Sequence, residues 1–141
     1  MSDIRAATIS AILLSAMVLA GCQQEAEQRP APEVVKERAQ ARWDALVDEE
    51  FATAWDYYTP GFRQMAPRDD FEADMGARPV QWNAASVISV ECQEEDSKCE
   101  VLTEVTYQPS GGPKELQSVE VTRDLREEWL FMDGQWWYSA Q

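Results

Sequence analysis

Apolar residues recur along this chain with two different periods, and the change falls near Pro79. Before it, Val35, Ala39, Trp43, Leu46 and Val47 recur at spacings of four and three, with Glu37, Arg38 and Asp48 elsewhere, which predicts an amphipathic helix. Pro32 suits its first turn, where a missing amide costs no intrahelical bond. Phe51, Ala54, Trp55 and Tyr58 form a second helical stripe, ended by Thr59-Pro60-Gly61. Asp69 with Glu72 three residues on reads as a cap for a brief third helix carrying Phe71 and Met75, stopped near Gly76 and Pro79. Beyond Pro79 the period becomes two. Trp82 to Cys92 and Cys99 to Gln108 read as a hairpin, Ser110-Gly111-Gly112-Pro113 as a turn, and Glu115 onward as a long strand. Asp133-Gly134 is a type I′ hairpin signal. Helices followed by antiparallel strands define an α+β domain, with the helices lying across one face of the sheet.

The two hairpins imply definite registers. If Gln93 pairs with Lys98, then Cys92 faces Cys99, Val90 faces Val101, Ile88 faces Thr103 and Ala84 faces Tyr107. Directly opposed side chains approach closely enough for a disulfide, so Cys92 and Cys99 are expected to form a structural staple. A redox pair or a metal site is the weaker alternative, because the gap is unlike CxxC and the chain contains no histidine. The Asp133-Gly134 turn pairs Met132 with Gln135, Phe131 with Trp136, Leu130 with Trp137 and Trp129 with Tyr138. One face of that hairpin then carries Trp129, Phe131, Trp136 and Tyr138, whose cross-strand contacts fix the register.

The N-terminus has a different character. Arg5 precedes an apolar run from Ala6 to Ala20, shorter than the roughly 20 residues that a membrane span needs. The run closes on Leu19-Ala20-Gly21-Cys22, which resembles the lipobox of bacterial lipoproteins. That resemblance implies a signal peptide over residues 1–21, lipidation of Cys22 with three acyl chains, and a mature chain of residues 22–141. Gln23 after the cysteine, in place of the inner-membrane retention signal Asp, implies the outer membrane with the domain facing the periplasm. Residues 22–32 are rich in Gln, Glu, Ala, Arg and Pro without periodicity and read as a flexible tether to a domain over 33–141. Assigning Cys22 to lipid leaves Cys92 and Cys99 as an even pair in an oxidising compartment.

Charge narrows the partners. The formal net charge is −14 with twelve Lys and Arg, which repels phosphates and argues against nucleic-acid binding. The expected contact with the bilayer is therefore through the acyl chains on Cys22 alone.

Arg42 to Trp55 (Arg42-Trp43-Asp44-Ala45-Leu46-Val47-Asp48-Glu49-Glu50-Phe51-Ala52-Thr53-Ala54-Trp55) and Tyr58-Thr59-Pro60-Gly61-Phe62-Arg63 resemble the opening helices of NTF2-like proteins. The ending Glu128-Trp129-Leu130-Phe131-Met132-Asp133-Gly134-Gln135-Trp136-Trp137-Tyr138 is similar to their last hairpin. The resemblance implies a curved sheet and a helix enclosing a conical pocket, and in many relatives a homodimer through the outer sheet face. It specifies fold better than activity, because this architecture hosts enzymes, binding modules and scaffolds. In the long strand, Val119, Val121, Arg123, Leu125, Glu127 and Trp129 share one parity, so Arg123 and Glu127 interrupt an apolar face. Either they form a polar pair inside the cone, or a bulge between Thr122 and Glu128 turns them outward; the adjoining Glu128 favours exposure. Tyr58, Arg123, Glu127 and Trp129 are the candidate pocket residues. Tyr57 and Arg63, like Tyr58, could line the mouth of the cone, but helix packing and turn anchoring explain them more cheaply.

Enzymes of that superfamily use a buried carboxylate base, often with histidine or tyrosine as partner. Here histidine is absent, and a pair such as Asp44 with Tyr58 is picked out by no spacing. Neither a Ser-His-Asp set, a phosphate loop nor a metal-ligand cluster stands out, so no cofactor or metal is expected and catalysis is the minority reading. Two classes remain: an envelope lipoprotein binding a small apolar ligand or an envelope protein, and a cofactor-free isomerase or lyase acting on a small hydrophobic substrate. A cone packed shut with Trp and Leu excludes both pocket readings, whereas a cavity of roughly 300 Å³ or more with an inward carboxylate revives the enzyme.

Overall fold

The computed structural model describes residues 31–93 and 97–140, so the lipobox, Cys22 and most of the tether lie outside the described residues. Four helices, α1 (Ala31–Val47), α2 (Phe51–Trp55), α3 (Pro60–Met65) and α4 (Arg68–Gly76), precede four strands, β1 (Val80–Gln93), β2 (Lys98–Pro109), β3 (Val121–Met132) and β4 (Gln135–Ser139). The strands form one antiparallel sheet in the order β1-β2-β3-β4. Helix α1 lies across its concave face, and the fold is α+β.

Helix α1 buries Val35, Ala39, Trp43 and Leu46, the stripe its periodicity predicts, and adds Arg42 to it. Two core clusters result. One gathers Val35, Ala39, Val87, Cys99, Val101 and Trp129; the other gathers Trp43, Leu46, Ala54, Tyr58, Phe71, Met75 and Val105. Cys92 and Cys99 are directly opposed in the β1–β2 ladder and joined by a disulfide, with Cys99 sealed inside the first cluster.

Strand β1 departs from the expected register. Val90 faces Val101, but bulges at Asn83 and Ile88 break the ladder, so Val87 and not Ile88 faces Thr103, and Trp82 and not Ala84 faces Tyr107. The bulge reverses parity: Val87 is buried and Ile88 is 52% exposed. Gln40 of α1 reaches this site, its Nε2 donating to Ala85 O at 3.0 Å and its Oε1 accepting from Val87 N–H at 3.0 Å. A bulged strand bends and twists more strongly, which wraps β1 around α1 and gives the sheet its concavity.

Three further expectations are corrected. Thr59-Pro60-Gly61 closes nothing: Thr59 Oγ1 accepts from Phe62 N–H at 3.3 Å, and Pro60 opens α3 at a position where proline is well tolerated. Asp69 lies within the first turn of α4, whose N-cap position is Pro67. Residues 115–120 are turn and irregular structure, so β3 begins at Val121 and Val119 is exposed. The terminal hairpin pairs as its sequence predicts, from Met132 with Gln135 to Trp129 with Tyr138. Asp133 and Gly134 have φ of 53° and 78°, the left-handed pair that a type I′ turn requires.

A buried arginine–glutamate pair at the floor of an aromatic cleft

Arg42 and Trp43 are consecutive on α1 and both point toward the sheet. Opposite them, β3 presents Glu127, β2 presents Thr103 and β4 presents Tyr138. Arg42 Nη1 donates to Glu127 Oε1 at 2.7 Å, and each side chain is 4% exposed. Trp43 Nε1 donates to Glu127 Oε2 at 3.0 Å, and Thr103 Oγ1 approaches the same oxygen at 3.4 Å. Both carboxylate oxygens are therefore occupied, as burial of an ionised group demands.

The guanidinium is also stacked. Arg42 Cζ lies 3.7 Å from the centre of the Tyr138 ring and 5.2 Å from that of Tyr58, where a cation meets the negative ring face. Burial works to lower the Arg42 pKa, but Glu127, with Tyr58 and Tyr138, more than offsets it and holds the pKa above the usual arginine value. For Tyr138, burial pushes the phenol pKa up despite the opposing pull of Arg42, and Glu127 adds to the rise. Its hydroxyl thus stays protonated and able to donate.

Backbone hydrogen bonds fix this arrangement. Tyr138 N–H donates to Tyr57 O at 2.8 Å and Thr59 N–H donates to Tyr138 O at 3.1 Å, so the α2–α3 junction borders β4 and sets Tyr58 against Tyr138 with ring centres 4.9 Å apart. Above the pair opens a cleft of about 520 Å³. Trp43, Leu46, Phe62, Phe71, Met75 and Trp82 supply its apolar wall, while Arg42, Glu127, Tyr58 and Tyr138 supply polar atoms and Asp74 and Arg78 also line it. The cone is not packed shut.

Among the candidate residues, Tyr58 and Glu127 line this cleft. Trp129 does not; it is wholly buried beneath, packed with Val35 and Ala39. Arg123 is exposed on β3 opposite Val105 and makes no pair with Glu127. The favoured outward turn is also corrected, since β3 pairs with β2 without a break from Val121 to Leu130 and Glu127 keeps its inward parity. Glu127's partner is Arg42, which the strand pattern alone did not indicate. A signal existed nonetheless: Val35, Ala39, Arg42 and Leu46 follow spacings of four, three and four, which puts a cation on the buried stripe and calls for a counter-charge. Asp44 is exposed and bonded to Gln40, away from Tyr58.

A second cluster ties the helices to β4. The Arg38 guanidinium lies between the rings of Tyr57 and Trp137, at 5.0 and 5.9 Å, and Arg63 between Trp137 and Trp55, at 4.7 and 5.1 Å. Arg68 also lies over the Trp55 ring, at 4.9 Å. Arg38 Nε also donates to Trp136 O at 2.8 Å. Tyr57 and Arg63 are thus anchors in an alternating stack of rings and cations. Among the described residues, no three His, Cys, Asp or Glu side chains come together as a metal site.

No family model matches the chain, and no curated protein matches it. Solved structures do. A SEC-C motif containing protein from Rhodopseudomonas palustris is 18% identical with a TM-score of 0.55, the match covering 73% of each chain. Another, from Psychrobacter arcticus, is 9% identical with a TM-score of 0.57, covering 94% of this chain and 75% of that one. A protein of the NTF2-like family from Streptomyces avermitilis is 15% identical with a TM-score of 0.47, covering 76% of this chain and 90% of that one. At the identities of the first two the likeness is one of fold: α+β, with helices laid over a curved antiparallel sheet.

Proposed function

We propose that the domain is a non-catalytic module that binds a small, largely apolar ligand in the aromatic cleft, held at the outer membrane on the periplasmic side by lipid on Cys22. The observation that carries the binding reading is an open cleft of about 520 Å³ whose buried carboxylate is already held by Arg42 and Trp43. A site of this size, mostly apolar and with a few convergent polar groups, fits small-molecule binding. The anchoring part rests on the lipobox resemblance alone.

Catalysis is the second reading, because Glu127 is an inward carboxylate on a cleft wall. Its two oxygens accept from Arg42 and Trp43, so a substrate proton would have to displace one of those donors. That arrangement favours binding over proton abstraction.

Purification of the full chain from membranes, followed by native and peptide mass spectrometry, tests the proposal. The expected result is a triacylated Cys22 peptide and a stoichiometric small molecule whose retention is lost in Trp82→Ala. An unmodified N-terminus removes the anchor, and a wild-type chain that neither retains nor takes up any apolar molecule removes the binding function. Incubation of the recovered ligand with the protein in D2O separates the two readings. A binder leaves every C–H position unexchanged, whereas exchange that is lost in Glu127→Gln, in a sample shown by circular dichroism to be folded, would establish the isomerase or lyase reading.

A further inference from the structure

Resting on the ligand-binding reading, we infer that the cleft takes an amphipathic monoanion: an aryl or alkyl chain ending in a carboxylate, with the chain on the aromatic wall and the acid group at the mouth against Arg78.

Three guanidiniums, Arg42, Arg78 and Arg126, line the cleft against two carboxylates, Asp74 and Glu127, in a chain whose net charge is −14. With Arg42 paired to Glu127 and Arg126 to Glu100, the charges left over the cleft are Arg78 and Asp74, so it is near neutral where the chain as a whole is strongly negative. Arg42 is consumed at the floor by Glu127, and Arg126 pairs with Glu100 on the outer side of the sheet. Arg78 differs from both. It follows α4, is exposed, and makes no ion pair with any described residue; Asp74, four residues earlier, lies beyond ion-pair distance.

Position excludes the alternative seat for an acid group. A second carboxylate at the floor would sit beside Glu127 in a buried setting, where like charges repel strongly. At the mouth it meets an unneutralised cation and the rim of a protonated phenol. Tyr138 lines the same cleft, and its pKa, raised by burial in spite of Arg42 and Arg78, leaves the hydroxyl free to donate to a carboxylate oxygen. Charge-assisted hydrogen bonds of this type are stronger than neutral ones.

A pair of probes with one skeleton and different head groups tests the inference. The full chain in a phosphatidylcholine nanodisc is titrated with 4-phenylbutyrate and with 4-phenylbutan-1-ol, and the intrinsic tryptophan fluorescence, to which Trp43 and Trp82 on the cleft wall contribute, is followed after subtraction of empty discs. The acid is expected to bind about fivefold to tenfold more tightly than the alcohol, an advantage that added salt reduces. Arg78→Ala, a change at an exposed residue, is expected to erase that advantage by weakening the acid at least fivefold more than the alcohol. Long-range repulsion from the acidic domain acts in the opposite direction, so non-specific partitioning into an apolar cleft gives the alcohol the advantage. Equal or tighter binding of the alcohol overturns the inference, as does an acid preference that survives Arg78→Ala; either result leaves the cleft as a binding site. Failure of both probes to bind at millimolar concentration removes the binding reading as well.

Discussion

Replacing Glu127 by Gln leaves the Arg42 guanidinium, 3% exposed, without its counter-charge. Breaking a buried pair from one side costs about 3–5 kcal/mol, so Glu127→Gln is expected to lower the unfolding free energy by that order in urea titrations. Removing both charges together is a different matter. Arg42→Met with Glu127→Leu deletes the desolvation cost of each ion along with their attraction, and is expected to cost less than Glu127→Gln alone. A double variant as damaged as the sum of the singles would show that the stacking on Tyr138, and not the charge pair, supplies the stabilisation. In the double variant the Trp43 indole N–H also loses the acceptor it has at 3.0 Å, whereas glutamine keeps one oxygen for Arg42 or Trp43.

Helix α3 and the terminal hairpin each contain a glycine with open space around its missing Cβ, and they respond oppositely to substitution. Gly61 sits in the first turn of α3 without a positive φ, so Gly61→Ala is expected to stabilise by about 0.4–1 kcal/mol through the unfolded chain's entropy. Gly134 has φ of 78°, and Gly134→Ala is expected to destabilise by about 1–2 kcal/mol from backbone strain alone. Thermal unfolding of the two variants, compared with wild type, checks both signs. The same pair shows what was legible in the sequence. Asp133-Gly134 needs only local geometry, so the turn and the whole register from Met132 to Trp129 could be read directly. Thr59-Pro60-Gly61 is locally consistent with a stop or a start, and the choice is made by β4, whose Tyr138 carbonyl takes the Thr59 amide. The bulges at Asn83 and Ile88 were not legible for a related reason: Val87 turns inward because Gln40, on another element, holds its amide. Arg42 falls between these cases, its helical spacing readable but its partner on a strand far along the chain.

At the scale of the molecule, the outer sheet face sets like charges opposite one another: Glu91 faces Glu100, Glu100 faces Glu128, and Glu104 faces Asp124. Arg126 and Lys98 offset them only in part, through Glu100 and Glu128. Together with the net charge of −14, these rows favour the expanded chain over the compact one. Raising the salt concentration to about 0.5 M shortens the Debye length to a few ångströms, so the melting temperature is expected to rise with salt. A melting temperature that falls would mean that exposed pairs such as Arg68–Asp56 outweigh this repulsion. The buried pair has a consequence of another kind, one of order in time. Arg42 and Glu127 are 85 residues apart, and Arg38 and the Trp136 carbonyl 98. Helix α1 thus gains its partners for Arg42 and Arg38 only from β3 and β4, and contacts so distant in sequence close slowly. Until those strands emerge, α1 carries a cation on the stripe it would bury, with nothing to neutralise it, and premature collapse around that helix is penalised. The buried stripe of α1 is thus coupled to the strands farthest from it in sequence, although β1 can pair with β2 as soon as both are made.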